Sequence, residues 1–130
     1  MINGTKAVII CDHQILLFHR DNQPGCKYPL HWQIVGGGIE PGETPEDGLI
    51  REVKEETTYD VKHYKLIDKT VGSQGEDVYW YLIKVDVGEK DKFKIGPGEG
   101  LEVKFFNLDD AQKLNLTPGT KKFLESYTIL

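Results

Sequence analysis

The chain has no long hydrophobic run: in 130 residues no apolar stretch approaches the roughly 20 that a membrane helix needs, so no membrane partner is expected. Cysteine is nearly absent. Cys11 lies in an apolar run and Cys26 in a polar loop, with no spacing that suggests a disulfide framework or a zinc site, and both suit a reducing, cytoplasmic setting. Basic charge is also short, 16 Lys and Arg against 21 Asp and Glu, for a net charge of −5. That balance argues against a nucleic-acid polymer as partner, since binding a phosphate backbone calls for a basic face. A small phosphorylated ligand remains open, because a metal can supply the missing charge. His19 and His31 have no carboxylate or cysteine partners at ligand spacing and read as polar packing. There is no repeat, low-complexity segment or secretory pattern. What remains, 38% hydrophobic and 28% charged, is a globular composition, and the length suits one domain over residues 1–130.

Against these absences stands an acidic run, Arg51-Glu52-Val53-Lys54-Glu55-Glu56. On a helix, residues three and four apart share a face, so Glu52, Glu55 and Glu56 bring three carboxylates to one patch. Like charges at these spacings cost about 0.2–0.5 kcal/mol per pair, and Lys54 points elsewhere. A hard divalent cation, Mg²⁺ or Mn²⁺, fits three carboxylates without Cys or His better than zinc does. A solvated acidic face is the alternative for a lone Glu-Glu pair. The preceding residues decide between them: Gly36 to Glu43 reads as a glycine-rich loop, and Thr44-Pro45-Glu46-Asp47 as a helix start with a capping box. The helix is expected over residues 44–59, with Leu49, Ile50 and Val53 as its apolar stripe and the three glutamates to one side, lining a cleft.

Elsewhere, residues 6–11 and 14–20 read as a hairpin turning at Asp12-His13, apolar on both faces and hence inside a covered sheet. Residues 31–35, 61–69, 77–87 and 101–106 read as strands, and 108–114 and 118–127 as helices. Arg20 ends the second strand and can reach a substrate phosphate, a surface salt bridge being the alternative. Tyr79, Trp80 and Tyr81 alternate on a central strand. Trp80 is taken as the candidate to stack on a base, with core packing as the competing role. Interleaved strands and helices imply an α/β domain, a mixed sheet between helices.

The stretch from Gly37 to Tyr59 resembles the signature of the Nudix hydrolases: Gly, five residues, Glu, seven residues, then Arg-Glu-apolar-any-Glu-Glu-any-Gly-apolar. Here it reads Gly37, Glu43, Arg51, Glu52, Val53, Lys54, Glu55, Glu56, Thr57, Thr58, Tyr59. Every charged position matches over 23 residues, and Thr58 alone departs, standing where the glycine would end the helix in a left-handed turn. A changed helix ending is expected there. The carboxylates lie upstream of it.

The resemblance implies a MutT-like Nudix fold and hydrolysis of a nucleoside diphosphate linked to a further group, with a small nucleotide as substrate and Mg²⁺ or Mn²⁺ as cofactor. It implies Glu52, Glu55 and Glu56 as metal ligands, joined by the Gly36 carbonyl and a glutamate from the loop before the last strand. Glu99, between Gly98 and Gly100, is the best match for that glutamate and Glu102 the competitor. Glu52 is the first choice for general base and Glu99 the second, while Arg51 and Glu43 are expected to pair and fix loop against helix. No proline follows the signature before Pro97, unlike the usual ADP-ribose class, no coenzyme A-type motif precedes Gly36, and Thr120 stands where MutT-like enzymes often place an asparagine. A nucleoside triphosphate pyrophosphohydrolase is the leading expectation. The contrasting ones are a catalytically silent module that senses a nucleotide, and a structural protein with an acidic interaction helix.

Overall fold

Ala7 and Ile9 pack with one cluster of buried side chains, and Val8, between them on the same strand, packs with a second cluster on the other face of the sheet; all three have no exposed surface. Both faces of this sheet are therefore covered. The structure, a computed structural model, describes residues 1–126. Its strands are β1 (Gly4–Cys11), β2 (Gln14–His19), β3 (Trp32–Gly38), β4 (Lys65–Val71), β5 (Asp77–Lys84) and β6 (Glu102–Phe106). They form one mixed sheet in the order β4-β5-β1-β3-β2-β6, with β1 parallel to β5 and the remaining pairs antiparallel. Helix α1 (Pro45–Thr57) covers one face through Leu49 and Val53, while α2 (Leu108–Gln112) and α3 (Pro118–Ser126) cover the other through Ala111, Phe123 and Leu124. This is the α/β, helix-sheet-helix layering expected.

Local chemistry explains the main junctions. Asp12 and His13 both take positive φ, 51° and 61°, the twisted two-residue turn that joins antiparallel strands without splaying them. Thr44 caps α1: its hydroxyl accepts from the Asp47 amide at 3.1 Å, and the Asp47 carboxylate accepts in return from the Thr44 amide at 3.4 Å. Burying Leu49 and Val53 contributes about 1.5–3 kcal/mol each, far more than the mutual repulsion of the glutamates removes, so packing decides that α1 forms here.

Several boundaries differ from the sequence reading. Gly36, Gly37 and Gly38 belong to β3, pairing with Lys6, Thr5 and Gly4, so the loop starts later. Ile50 is 40% exposed, which narrows the apolar stripe of α1 to Leu49 and Val53. The strand expected over residues 61–69 is displaced to Lys65–Val71; as the edge of the sheet it is mostly exposed, and its register shifts between Leu66 and Asp68. The expected loop after β5 contains a 3-10 turn, Val87–Lys92. Helix α3 was expected to reach Tyr127, which lies outside the described residues. Thr58 does not alter the helix ending: it adopts the left-handed conformation itself, φ 62°, and its amide donates to the Lys54 carbonyl at 3.0 Å. The turn is retained despite the β-branched side chain.

Candidate functional site

The site forms where the end of β3 lies against the last turns of α1, and three glycines let it close. The Gly36 amide donates to Glu56 Oε1 at 2.9 Å. At Gly37, a Cβ atom would sit 2.6 Å from the Glu52 carboxylate, so any larger residue there would displace that carboxylate from its place over the strand. Gly96 donates its amide to the Glu56 carbonyl at 3.0 Å, and a Cβ there would lie 1.7 Å from the Glu55 carbonyl. This contact seats the loop before β6 on the end of α1. Glu99, three residues on, then borders a cleft of about 140 Å³ with Glu56, Arg20, Gln33 and Phe18.

Arg51 organises the other side. Its Nε and Nη2 donate to the two Glu43 oxygens at 2.8 and 3.0 Å, Nη1 donates to Glu52 at 3.0 Å and Glu55 at 3.2 Å, and Nη2 also reaches the Gly38 carbonyl at 2.8 Å. A guanidinium matches this planar, forked set of acceptors as a lysine would not. These bonds hold the Glu43 carboxyl below the usual carboxylate range.

Burial dominates the charge state of the inner carboxylates. Glu56 is 7% exposed, and its pKa is pushed up to about 8 by burial; the Gly36 amide and the charge of Lys6 oppose that shift, while Glu52 and Glu99 add to it. Burial also raises Glu52, against the pull of Arg51 and with smaller contributions from Glu55 and Glu99. Glu52, Glu56 and Glu99 thus feel one another's charge. Among the described residues no three His, Cys, Asp or Glu side chains stand at a common ligating distance, because Arg51 draws Glu52 and Glu55 to itself. The donor set is nevertheless one of hard oxygens that repel one another, and the charge of Lys6 offsets only part of that repulsion at Glu56, which suits a divalent cation of the Mg²⁺ type.

The other candidates separate. Arg20 lies in the cleft, donating to Gln33 Oε1 at 2.9 Å and Cys26 Sγ at 3.3 Å, while its buried Nε has no hydrogen-bond partner. It forms no salt bridge among the described residues. Trp80 faces the α3 side, away from α1, stacked on Phe123 at 4.7 Å. Glu102 begins β6 opposite His19, 3.6 Å from that ring, and does not border the cleft. Thr120 is 4% exposed, and its hydroxyl accepts from the Ile34 amide at 3.0 Å and from Thr117 at 2.9 Å, pinning α3 to the sheet.

Sequence reasoning missed Lys6 and Gln33. Lys6 is a half-buried ammonium opposite Gly36, its pKa lowered by burial and held up by the charge of Glu56. The available signal was a lysine at an inward position directly before the apolar run Ala7 to Ile10.

Comparison with known proteins places this geometry. An ADP-ribose pyrophosphatase of Methanocaldococcus jannaschii is 35% identical over 119 residues, 85% of this chain and 64% of that protein. An 8-oxo-dGTP diphosphatase of Escherichia coli is 31% identical over 86 residues, 64% of this chain and 67% of that one. The chain spans between about a quarter and two thirds of the length of the curated relatives it matches. Among solved structures, a MutT NUDIX hydrolase from Burkholderia pseudomallei superimposes with a TM-score of 0.78 at 27% identity, covering 98% of each chain. The NUDIX domain model matches residues 3–127, which include the signature, the glycines that close the site and the loop that carries Glu99, and so the chain belongs to the NUDIX domain family.

Proposed function

We propose that the chain is a divalent-metal-dependent hydrolase of phosphoric anhydrides that cleaves nucleoside diphosphate derivatives, with nucleoside triphosphates as its preferred substrates. The observation that carries this reading is the cleft itself, which Glu56 and Glu99 border together with Arg20, whose buried Nε has no hydrogen-bond partner, and where Glu52 and Glu99 act on the charge of Glu56. Carboxylates beside a free guanidinium donor suit a phosphate held by Arg20 and bridged to the glutamates by a cation. The named activities of the relatives, on ADP-ribose and on 8-oxo-dGTP, support the reaction class.

In this reading Glu52, Glu55, Glu56, Glu99 and the Gly36 carbonyl would hold Mg²⁺ or Mn²⁺. Bound there, the ion would neutralise phosphate oxygens and lower the pKa of water. Glu52, its pKa raised by burial, takes the proton of the attacking water, with Glu99 as the second candidate for that role. The water oxygen forms a bond to phosphorus. The bridging P–O bond breaks, and its electron pair leaves with the departing phosphate. Arg20 donates to phosphate oxygens as charge shifts onto them, and Arg51 with Glu43 keeps the loop after β3 fixed against α1. Thr120 is committed to Ile34 and Thr117, so it does not read a base as an asparagine there would.

The test is a panel of nucleoside triphosphates, nucleotide sugars and ADP-ribose, assayed with Mg²⁺ or Mn²⁺ for release of phosphate or pyrophosphate. Metal-dependent release from at least one compound is the expected result. Nucleotide binding without turnover would identify a sensing module instead.

A further inference from the structure

Thr5 is wholly buried, and its Oγ1 has no hydrogen-bond partner among the described residues. A buried hydroxyl left unpaired is costly, so its presence calls for a physical reason. The strand register supplies the surroundings. Thr5 precedes Ala7 and Ile9 on β1, whose side chains join Leu49 and Val53 of α1 in one cluster, so alternation turns Thr5 to that same face. It is paired with Gly37 on β3. Residues paired in this way hold their Cβ positions about 4.5–5.5 Å apart. The Glu52 carboxylate rests over the Cβ position of Gly37, its carbon and two oxygens 2.6 to 2.7 Å from it. Thr5 thus stands one strand away from that carboxylate, on the same floor beneath α1.

The two groups complement each other. Glu52 Oε1 accepts from Arg51 Nη1 at 3.0 Å, and Oε2 accepts nothing among the described residues. The Thr5 hydroxyl has a proton to donate and no acceptor for it. A single bond, at Oε1, leaves the carboxylate free to turn about its last torsion, which has only a broad preference in glutamate. A base that takes a proton from water has to keep a lone pair aimed at that water. A second donor, on Oε2, fixes the plane of the carboxylate.

Resting on the hydrolase reading above, we propose that Thr5 is a positioning residue for Glu52: in the metal-loaded protein its hydroxyl donates to the second oxygen of the carboxylate and sets the orientation in which Glu52 accepts the proton of water. Thr5 acts only through Glu52, without touching substrate. Losing its hydroxyl therefore lowers kcat and leaves KM in place.

The test compares Thr5→Val, which keeps the shape of the side chain without the hydroxyl, with Thr5→Ser, which keeps the hydroxyl. With Mg²⁺ and a substrate found by the panel above, Thr5→Val should lower kcat about tenfold and change KM less than about twofold, while Thr5→Ser should keep at least about half of kcat. A second measurement needs no turnover: the melting temperature in chelator and in saturating Mg²⁺. In chelator, Thr5→Val should melt at or above the unmodified protein, because an unpaired buried hydroxyl is gone. The rise on adding Mg²⁺ should be smaller in Thr5→Val than in the unmodified protein by about 3 °C or more, the size of one hydrogen bond to a charged group, and Thr5→Ser should restore it. With Glu52→Met in both chains the difference should vanish. If Thr5→Val is too unstable to assay, Thr5→Ser against Thr5→Ala makes the same comparison, since those two side chains differ only by the hydroxyl. Full kcat and an unchanged Mg²⁺ response in Thr5→Val would overturn the proposal and leave hydrolysis intact. Equal losses in Thr5→Val and Thr5→Ser would also overturn it, by making Thr5 a packing residue. A protein that cleaves no anhydride but shows the Mg²⁺ difference would retain the Thr5–Glu52 bond and sink the hydrolase reading, and an unmodified protein without any Mg²⁺ response would remove both.

Discussion

The Gly36 amide donates to the Glu56 carboxylate at 2.9 Å, fastening α1 to β3 through a group that burial pushes toward its neutral form. In the proposed reading the same carboxylate also meets a cation. A proton and a metal ion would then compete for one position, and each would stabilise the fold when bound.

This competition predicts a pH dependence. Glu56 titrates near 8 in the folded protein against 4.5 when unperturbed, so between these values the folded state keeps a proton that the unfolded state has released. The stability this confers is complete below about pH 4.5 and is lost as pH rises through 8. Metal-free protein should therefore lose about 1–4 kcal/mol across that window. Glu56→Gln should flatten the slope, leave the metal-free fold as stable or more so near pH 8, and abolish turnover. Urea denaturation at pH 5 and pH 8 checks this, and a large loss of metal-free stability in the variant would mark Glu56 as structural.

The loop carboxylates should separate in kinetics. Glu99 borders the cleft next to Gly98, which takes φ 72°, whereas Glu102 is held in β6 opposite His19. Glu99→Gln should lower kcat by at least about tenfold, a transition-state loss of ~1.4 kcal/mol or more. Glu102→Gln should leave the rate nearly unchanged. The reverse pattern would reassign the loop residue.

Thr58 offers a test of backbone strain. At φ 62° a β-branched residue costs about 1–2 kcal/mol, partly offset by the freedom that glycine gains in the unfolded chain and by the Thr58 hydroxyl bond to the Lys92 carbonyl at 3.3 Å. Thr58→Gly should raise stability by about 0.5–1 kcal/mol in denaturant titration, with activity unchanged. A destabilised variant would mean that the Lys92 contact outweighs the strain.

Arg51→Lys should behave as a disruptive change. Lysine cannot reproduce the fork to Glu43 together with the bonds to Glu52, Glu55 and Gly38, so stability should fall by about 1–3 kcal/mol. A shift in melting temperature within error would reduce the Arg51 cluster to a surface feature.

The layering was legible because β1 and β2 are continuous apolar runs that need cover on both faces, and the carboxylate helix because of the i, i+3, i+4 spacing in α1. The Thr44 cap was legible because its partners are three residues apart. Long-range placements were not. That Gly36 to Gly38 continue a strand depends on pairing with Gly4, Thr5 and Lys6, thirty or more residues away. That Trp80 faces α3 depends on register across three strands, and that Thr120 is committed to Ile34 depends on a contact spanning 86 positions. Lys6 escaped notice because a strand-end lysine ordinarily reaches solvent, and only the covered faces of the sheet make it half-buried.

The central claim, that the α1 carboxylates serve a metal-dependent cleavage of a phosphoric anhydride, is tested most directly by ³¹P NMR of nucleoside triphosphates incubated with the protein and with Glu56→Gln. In Mg²⁺ or Mn²⁺ the unmodified protein should replace the anhydride resonances with those of a monophosphate and pyrophosphate, and chelation of the metal or the Glu56→Gln change should stop the conversion. Conversion at the same rate in Glu56→Gln, or persistence of the anhydride signals across triphosphates, nucleotide sugars and ADP-ribose, would contradict the account.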